Sequence, residues 1–377
     1  MPWEVQPVPE LRSALVHAVR HAGLSVAEAA RRYGISRQAA HTWLARYDAD
    51  PDAPLVDRPR RPRRSPGRTP EEAERAVLEA RDRWGWGPRK LRAVMTREGL
   101  APPPVRTIAA ILRRHGRTRP APGEPGPPPQ RFERSAPNEL WQMDFKGPIE
   151  VARRKVTPLS VLDDHSRYLL CLRPCADMTH ATVQAALWDV FGDVGMPESL
   201  LCDNAFSNAK TGGVGLTGFE GWLVRLGIRP AHGRPYHPQT QGKVERFHGT
   251  LESELWPRVR RDSDEHFAAD CEAWRPVYNA IRPHEALGDE PPVTRWRPSP
   301  RKRPDRIPEA TYPAGSVLRR VGQVGEIRYR MARILVGRGL TGEPVRVEER
   351  DGQVEVYYCD YRVRCLSAAE LRCDRML

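Results

Sequence analysis

The sequence predicts a multidomain chain. All-α helix-turn-helix units come first, an α/β core with a mixed sheet follows, and a small β domain, read as a barrel, ends it. Three observations carry this reading. The 377 residues hold 61 Lys+Arg and 48 Asp+Glu, but the surplus is local. Residues 1–135 carry 26 Lys+Arg against 15 Asp+Glu, residues 136–309 carry 23 against 24, and residues 310–377 carry 12 against 9. A basic N-terminal third on a neutral middle points to a polyanion-binding module joined to something else. The 38 prolines include runs with almost nothing to bury, which read as linkers. Finally, apolar periodicity is helical before residue 118, mixed from 136 to 297 and alternating near the C-terminus.

Other classes are set aside on composition. No apolar run approaches the roughly 18 residues of a membrane span, and MPWEVQPVPE does not read as a signal peptide. The seven cysteines form no C-x-x-C pair, so reduced thiols are expected rather than a zinc site or disulfide framework.

Residues 1–56 read as a helix-turn-helix domain. Ser25-Val-Ala-Glu28 is a capping box, Gly34 breaks the helix and Ser36 caps the next. Trp43 and Leu44 are expected in its core, leaving Arg37, Gln38, His41 and Thr42 to meet base edges. Residues 57–68 are an Arg/Pro linker; Arg60, Arg61, Arg63 and Arg64 either track phosphates or are simply solvated. Residues 69–118 read as a second helix-turn-helix domain, opened by a Thr69–Glu72 capping box and carrying Arg89, Lys90 and Arg106 as DNA contacts. Residues 119–135 are a Pro-rich linker.

From 136 to 297 the pattern alternates strands with helices. Strands are expected within 140–172, at 199–202 and at 227–232, and helices at 179–194, 219–226, 239–255 and 264–278. Residues 298–310 read as another linker. Residues 311–377 read as a small barrel or sheet with a hairpin turning at Asp351-Gly352.

Three acids stand out by position. Asp144 sits inside the first strand, where a charge is costly without a partner. Asp203 follows a buried strand, and Glu245 lies on a helix. Carboxylates converging without a Cys or His cluster favour a hard divalent cation, and two such ions can serve phosphoryl transfer. Taken singly, each acid is more often a cap or a salt bridge. Asp163 and Asp164 are read as structural turn residues, and Trp222, Trp256 and Trp274 as core. Lys243 and Arg246, flanking Glu245, either hold phosphates or are solvated. Gln241, Gly242, His248 and Gly249 share a face with Glu245, and either close DNA approach or loose helix ends would explain the two glycines.

The strings Trp141-Gln-Met-Asp144, Leu162-Asp-Asp-His-Ser-Arg167, Asp203-Asn204, GRPYHPQTQGKVERFHGTL over 233–251 and Tyr278-Asn-Ala-Ile-Arg-Pro-His284 are specific. With them the chain resembles the integrase-type DDE transposases of bacterial insertion sequences, over most of its length. The resemblance implies an RNase H-like core resembling that of retroviral integrases. It implies Asp144, Asp203 and Glu245 as the catalytic and metal-binding triad, holding two Mg²⁺ ions, with Mn²⁺ as a substitute. It further implies transesterification on double-stranded DNA, both terminal inverted repeats and target. The protein would be a homo-oligomer on DNA, in the bacterial cytoplasm at the nucleoid, with no membrane partner. Two departures bear on this. The last two acids are 42 positions apart, longer than the family's common spacing, with a Gly-rich insertion over 209–218. Ala205 stands where the family has Gly. The rival readings are a catalytically attenuated DNA-binding regulator or relic, and a nuclease without strand transfer.

Overall fold

The structure, a computed structural model, describes residues 7–57, 69–118, 133–202, 215–232, 242–367 and 370–371. The chain divides into two compact units, 1–68 and 69–377. No helix among the described residues is long and apolar enough to cross a membrane.

The first unit holds α1 (Val8–Arg20), α2 (Val26–Arg32) and α3 (Arg37–Ala49). The expected capping box forms. Ser25 Oγ accepts from the Glu28 N–H, and Glu28 accepts from the Ser25 N–H. Gly34 turns at φ +66°, and Ser36 caps α3. Leu15, Val16, Ala29, Ala30, Ala40, Leu44 and Leu55 close a core of the unit's own, with Trp43 half-buried against it.

The second unit opens with α4 (Glu71–Trp84), α5 (Pro88–Arg97) and α6 (Val105–Arg114). The expected Thr69–Glu72 box does not form: Pro70 occupies the cap position, with no side-chain cap bond. Gly85, left-handed at φ +70°, ends α4. The three helices bury Val77, Trp86, Leu91, Val94, Met95, Ile108, Ile111 and Leu112, and Val277 and Ile281 pack on the same cluster.

The central sheet is built from β1 (Trp141–Phe145), β2 (Ile149–Val151), β3 (Arg154–Asp163), β4 (Leu169–Cys175), β5 (Ser199–Cys202) and β6 (Arg229–His232). Its order is β2-β3-β1-β5-β6, with β4 on β3. β1 is antiparallel to β3 and parallel to β5, so it runs through the middle of a mixed sheet. One face is covered by α7 (His180–Val194) and α8 (Gly218–Arg225), which pack on Trp141, Met143, Val161 and Leu200. The other is covered by α9 (Gly242–Thr250) and α10 (Asp264–Pro276), through Val244, Phe247, Leu251, Phe267 and Cys271. Each of these helices continues into a π-helical turn, Leu251–Leu255 and Val277–Ile281. Trp222 and Trp256 are buried, and Trp274 packs half-buried against the second cluster.

Residues 298–310 are not a free linker. Ser299 donates its N–H to Val194 O, Arg301 O accepts from the Met196 N–H, and the Arg301 guanidinium donates to the carbonyls of Leu226 and Gly227. Arg303 lies over the Trp188 ring. Composition alone hid this, because the segment is held by backbone and guanidinium hydrogen bonds rather than by apolar burial.

The C-terminal part comprises β7 (Val317–Arg320), β8 (Glu326–Tyr329), β9 (Ala332–Leu335), β10 (Pro344–Arg350), β11 (Gln353–Tyr358) and β12 (Tyr361–Ser367). The predicted hairpin is present, with Asp351 and Gly352 both at positive φ. The expected closed barrel is not formed among the described residues. A four-stranded sheet, β12-β11-β10-β7, stands beside a separate pair, β8-β9. Leu216 and Val224 of the central part fill the sheet's apolar face, so the face is covered by packing on α8 instead of by closure. The approach there is close. A Cβ at Gly339 would meet the Thr217 backbone at 2.1 Å, and one at Gly215 would meet Val336 O at 1.9 Å.

Candidate active site

Strand alternation decides which way the first acid points. Trp141 and Met143 face the α7 side and are fully buried. Gln142 and Asp144 therefore face the other side, where α9 packs against β1. Asp144 is partly exposed, and its Oδ1 accepts from the Phe145 N–H at 2.9 Å.

Two polar contacts fix α9 and its continuation along this face: Lys243 Nζ donates to Asp164 Oδ1 at 2.5 Å, and Lys146 pairs with Glu252 at 2.5 Å. Between them, His248 Nδ1 lies 3.8 Å from Asp144 Oδ2. Glu245 precedes Glu252 by seven residues, about two helical turns, so the two share one line of the helix. It also precedes His248 by three. The face that meets Asp144 and Lys146 is therefore the face from which Glu245 projects, exposed to solvent. Burial, with Lys146 nearby, pushes the His248 imidazole down to about 4. The ring is neutral at pH 7 and adds no competing cation beside Asp144.

Asp163 and Asp164 have the turn role expected of them. Asp163 accepts from the N–H groups of Asn138 and Ser166 and from the Ser166 hydroxyl. Asp164 accepts from the Arg134 N–H, the Gln142 amide and Lys243. Both are buried, and burial raises the Asp163 carboxyl above its ordinary range against the pull of its hydrogen bonds.

Asp203 and Ala205 lie outside the described residues, as do Arg60, Arg61, Arg63 and Arg64 and residues 233–241. Cys202, which ends β5, is the chain neighbour of Asp203; one strand over, Gln142 of β1 pairs with Leu201. Among the described residues no three His, Cys, Asp or Glu side chains are grouped as a metal site. The donor chemistry of Asp144 and Glu245 fits a hard divalent cation: both are carboxylates, and the adjacent Lys146 is engaged by Glu252.

Arg37, Gln38, His41 and Thr42 are all exposed on α3, with the Thr42 hydroxyl donating back to Gln38 O. Arg106 is exposed on α6 and Arg246 on α9. Arg89 and Lys90, by contrast, turn toward the central part. Arg89 pairs with Asp289 and Glu285, and Lys90 with Glu254. Lys243 is spent on Asp164.

Sequence reasoning did not single out Lys146, Glu252 or Glu254 as partners. Lys146–Glu252 and Lys90–Glu254 are over a hundred residues apart and Arg282–Glu254 is 28 apart, so no local spacing signals them. The Tyr278–His284 string was legible as a signature but not in its role. Asn279 pairs with both the N–H and C=O of Leu169, Tyr278 stacks edge-on to Phe247 of α9, and Arg282 binds Glu254.

Residues 134–238 match an integrase core domain, residues 226–292 match a second integrase core domain, and residues 14–63 match a helix-turn-helix domain. The chain carries an integrase core domain and a helix-turn-helix domain. It is 26% identical to the 31.7 kDa protein of insertion element IS407 from Burkholderia multivorans, over 70% of this chain and 87% of that one. It is 28% identical to the 39.2 kDa protein of insertion element IS476 from Xanthomonas euvesicatoria, over 42% of this chain and 44% of that one. The Gag-Pro-Pol polyprotein of simian retrovirus SRV-2 is 33% identical over 121 residues, 32% of this chain. The integrase-core chain spans only 6% of that polyprotein's length. Among solved structures, the simian T-cell lymphotropic virus intasome with a PP2A regulatory subunit aligns with a TM-score of 0.37 at 18% identity, covering 78% of this chain and 99% of that one. The HTLV-2 integrase catalytic core with magnesium aligns with a TM-score of 0.33 at 16% identity, covering 43% and 97%.

Proposed function

We propose that this integrase-core protein is a DNA transposase that binds the terminal inverted repeats of its own mobile element and cuts and joins DNA there. The observation that supports the reading is the packing of α9, which carries Glu245, on the side of the sheet that Asp144 faces. Asp203, next to the end of β5, completes the set in this reading. Asp144, Asp203 and Glu245 would together hold divalent cations, which supply activation of the attacking oxygen and stabilisation of the leaving one. The chain's own part is to fix the carboxylates. Asp164 holds the start of α9 through Lys243, and Glu252 pairs with Lys146. In cleavage a water oxygen bonds to phosphorus as the P–O3′ bond breaks. In joining, the freed 3′-hydroxyl attacks a second phosphodiester, and the displaced oxygen takes up a proton. α3, with Arg37, Gln38, His41 and Thr42 exposed on it, is the reader of the element ends, supported in this by Arg106.

The test is incubation of the full chain with Mg²⁺ and duplex DNA carrying the ends of the mobile element that encodes it, resolving cut from joined strands. Joined product is the expected outcome. Specific binding with no cut or joined strand would favour a regulator or relic.

A further inference from the structure

Glu254 is the centre of a buried polar cluster that ties the helical segment 69–118 to the central part. It is nine residues beyond Glu245 on the same helical run. Its Oε2 accepts from Trp86 Nε1 and from Arg282 Nε, and its Oε1 from Lys90 Nζ and Arg282, all at 2.8 Å. Arg282 also donates toward the hydroxyl of Thr250, the last residue of α9. Burial disfavours the Glu254 charge, but Arg282 and Lys90 outweigh it and hold the carboxyl down at about 2, so it is ionised.

The backbone is shaped for this cluster. Glu254 stands in the π-helical turn Leu251–Leu255, closed by the Trp256 N–H on Leu251 O. Arg282 comes directly after the π-helical turn Val277–Ile281, closed by its own N–H on Val277 O. π turns are rare and concentrate where a side chain must be re-aimed for function. Here one member of a largely buried ion pair stands in such a turn and the other directly follows one. The Trp86 and Lys90 partners come from the α4–α5 turn and α5, and Ile281 and Val277 add apolar contact with the same helices. A plain structural dock would need neither two π turns nor a buried charge, since burying charge is seldom the stablest solution.

We infer that Glu254 is a positioning residue for the carboxylate helix: seating of helices α4–α6 on the Glu254–Arg282 pair is what holds α9, and with it Glu245, in register against Asp144. This rests on the transposase reading for its catalytic meaning, but the mechanical coupling is testable without it.

The test compares the full-length chain with Trp86→Phe, which removes the indole donor together with part of a buried ring, Lys90→Met and Glu254→Gln. The first readout is hydrogen exchange. Amides of 242–255 are expected to exchange about tenfold faster in Lys90→Met and Glu254→Gln, although Lys90 lies on another helix altogether. The second is joining of Mg²⁺-activated element-end DNA. The rate at saturating DNA should fall about 10- to 100-fold while DNA affinity is unchanged, with Trp86→Phe intermediate. Faster exchange in 71–114 alone, with 242–255 as slow as in the parent, would overturn the inference. So would an unchanged joining rate in Lys90→Met alongside an active parent. A parent that never joins DNA, but whose 242–255 amides respond as stated, would remove the transposase reading and leave the coupling standing.

Discussion

Asp144 is partly exposed and Glu245 exposed. Asp163, Asp164, Glu252 and Glu254 each engage structural partners. Asp144→Asn and Glu245→Gln keep shape and remove charge, so each should cost at least the roughly 10²–10³-fold that accompanies loss of one preorganised charge-stabilising group. DNA affinity should stay within about twofold, since it comes mainly from phosphate contacts. Gel-resolved strand joining and a binding titration on the same protein check both halves. Full joining by either variant would remove that acid from the site. The candidate acids were legible because carboxylates at a mid-strand position and on a helix need a reason. His248 was legible on the Glu245 face, but not its nearness to Asp144, which depends on how α9 lies on the sheet.

At the scale of the element, the Glu254 cluster makes a pH prediction. A carboxyl held at about 2 when folded and near 4.5 when unfolded stabilises fully above the unfolded value and loses that contribution as pH falls toward 2. Glu254→Gln should therefore cost about 3 kcal/mol at pH 7, and the gap to the parent should close between about pH 4.5 and 2. Chemical denaturation at a series of pH values measures it; a constant gap would mean the ion pair is not the source. His284 acts in a higher window. Burial, with Arg282 and Lys90, pushes it down to about 2, so the unfolded chain takes up a proton there near 6.5 while the folded one does not. His284→Gln should lessen the parent's loss of stability between about pH 6.5 and 4.5. Helices with local signals were well read in advance, α2 and α3 by their serine caps and the β10–β11 hairpin by Asp351-Gly352. What sequence could not give were the π turns and the strap over 298–303, because both are set by distant partners.

For the whole molecule, the two-unit division sets what can fold alone. Residues 1–68 close their own core and should melt cooperatively as a fragment. They should bind DNA with log K falling by roughly 0.9 per phosphate neutralised as log salt rises. Residues 69–118 share Val277, Ile281 and Glu254 with the central part. Cut at 118, they should lose helicity, while 69–377 should unfold in one transition. Circular dichroism on the three fragments decides this, and a stable, fully helical 69–118 would contradict it. The C-terminal sheet is held likewise. Gly339→Ala forces a Cβ into the Thr217 backbone, so it should destabilise 69–377 by about 1–3 kcal/mol, read from its denaturation midpoint.

A reader module whose apolar interior is wholly its own can be exchanged by recombination without repacking anything downstream. The break at residue 68 ends an Arg/Pro stretch. If the first unit reads DNA as proposed, exchanging the first 68 residues should give new DNA addresses. The helices at 71–114, which bond to Glu254 of the central part, would then stay with that part. Retargeting by design should use the same seam.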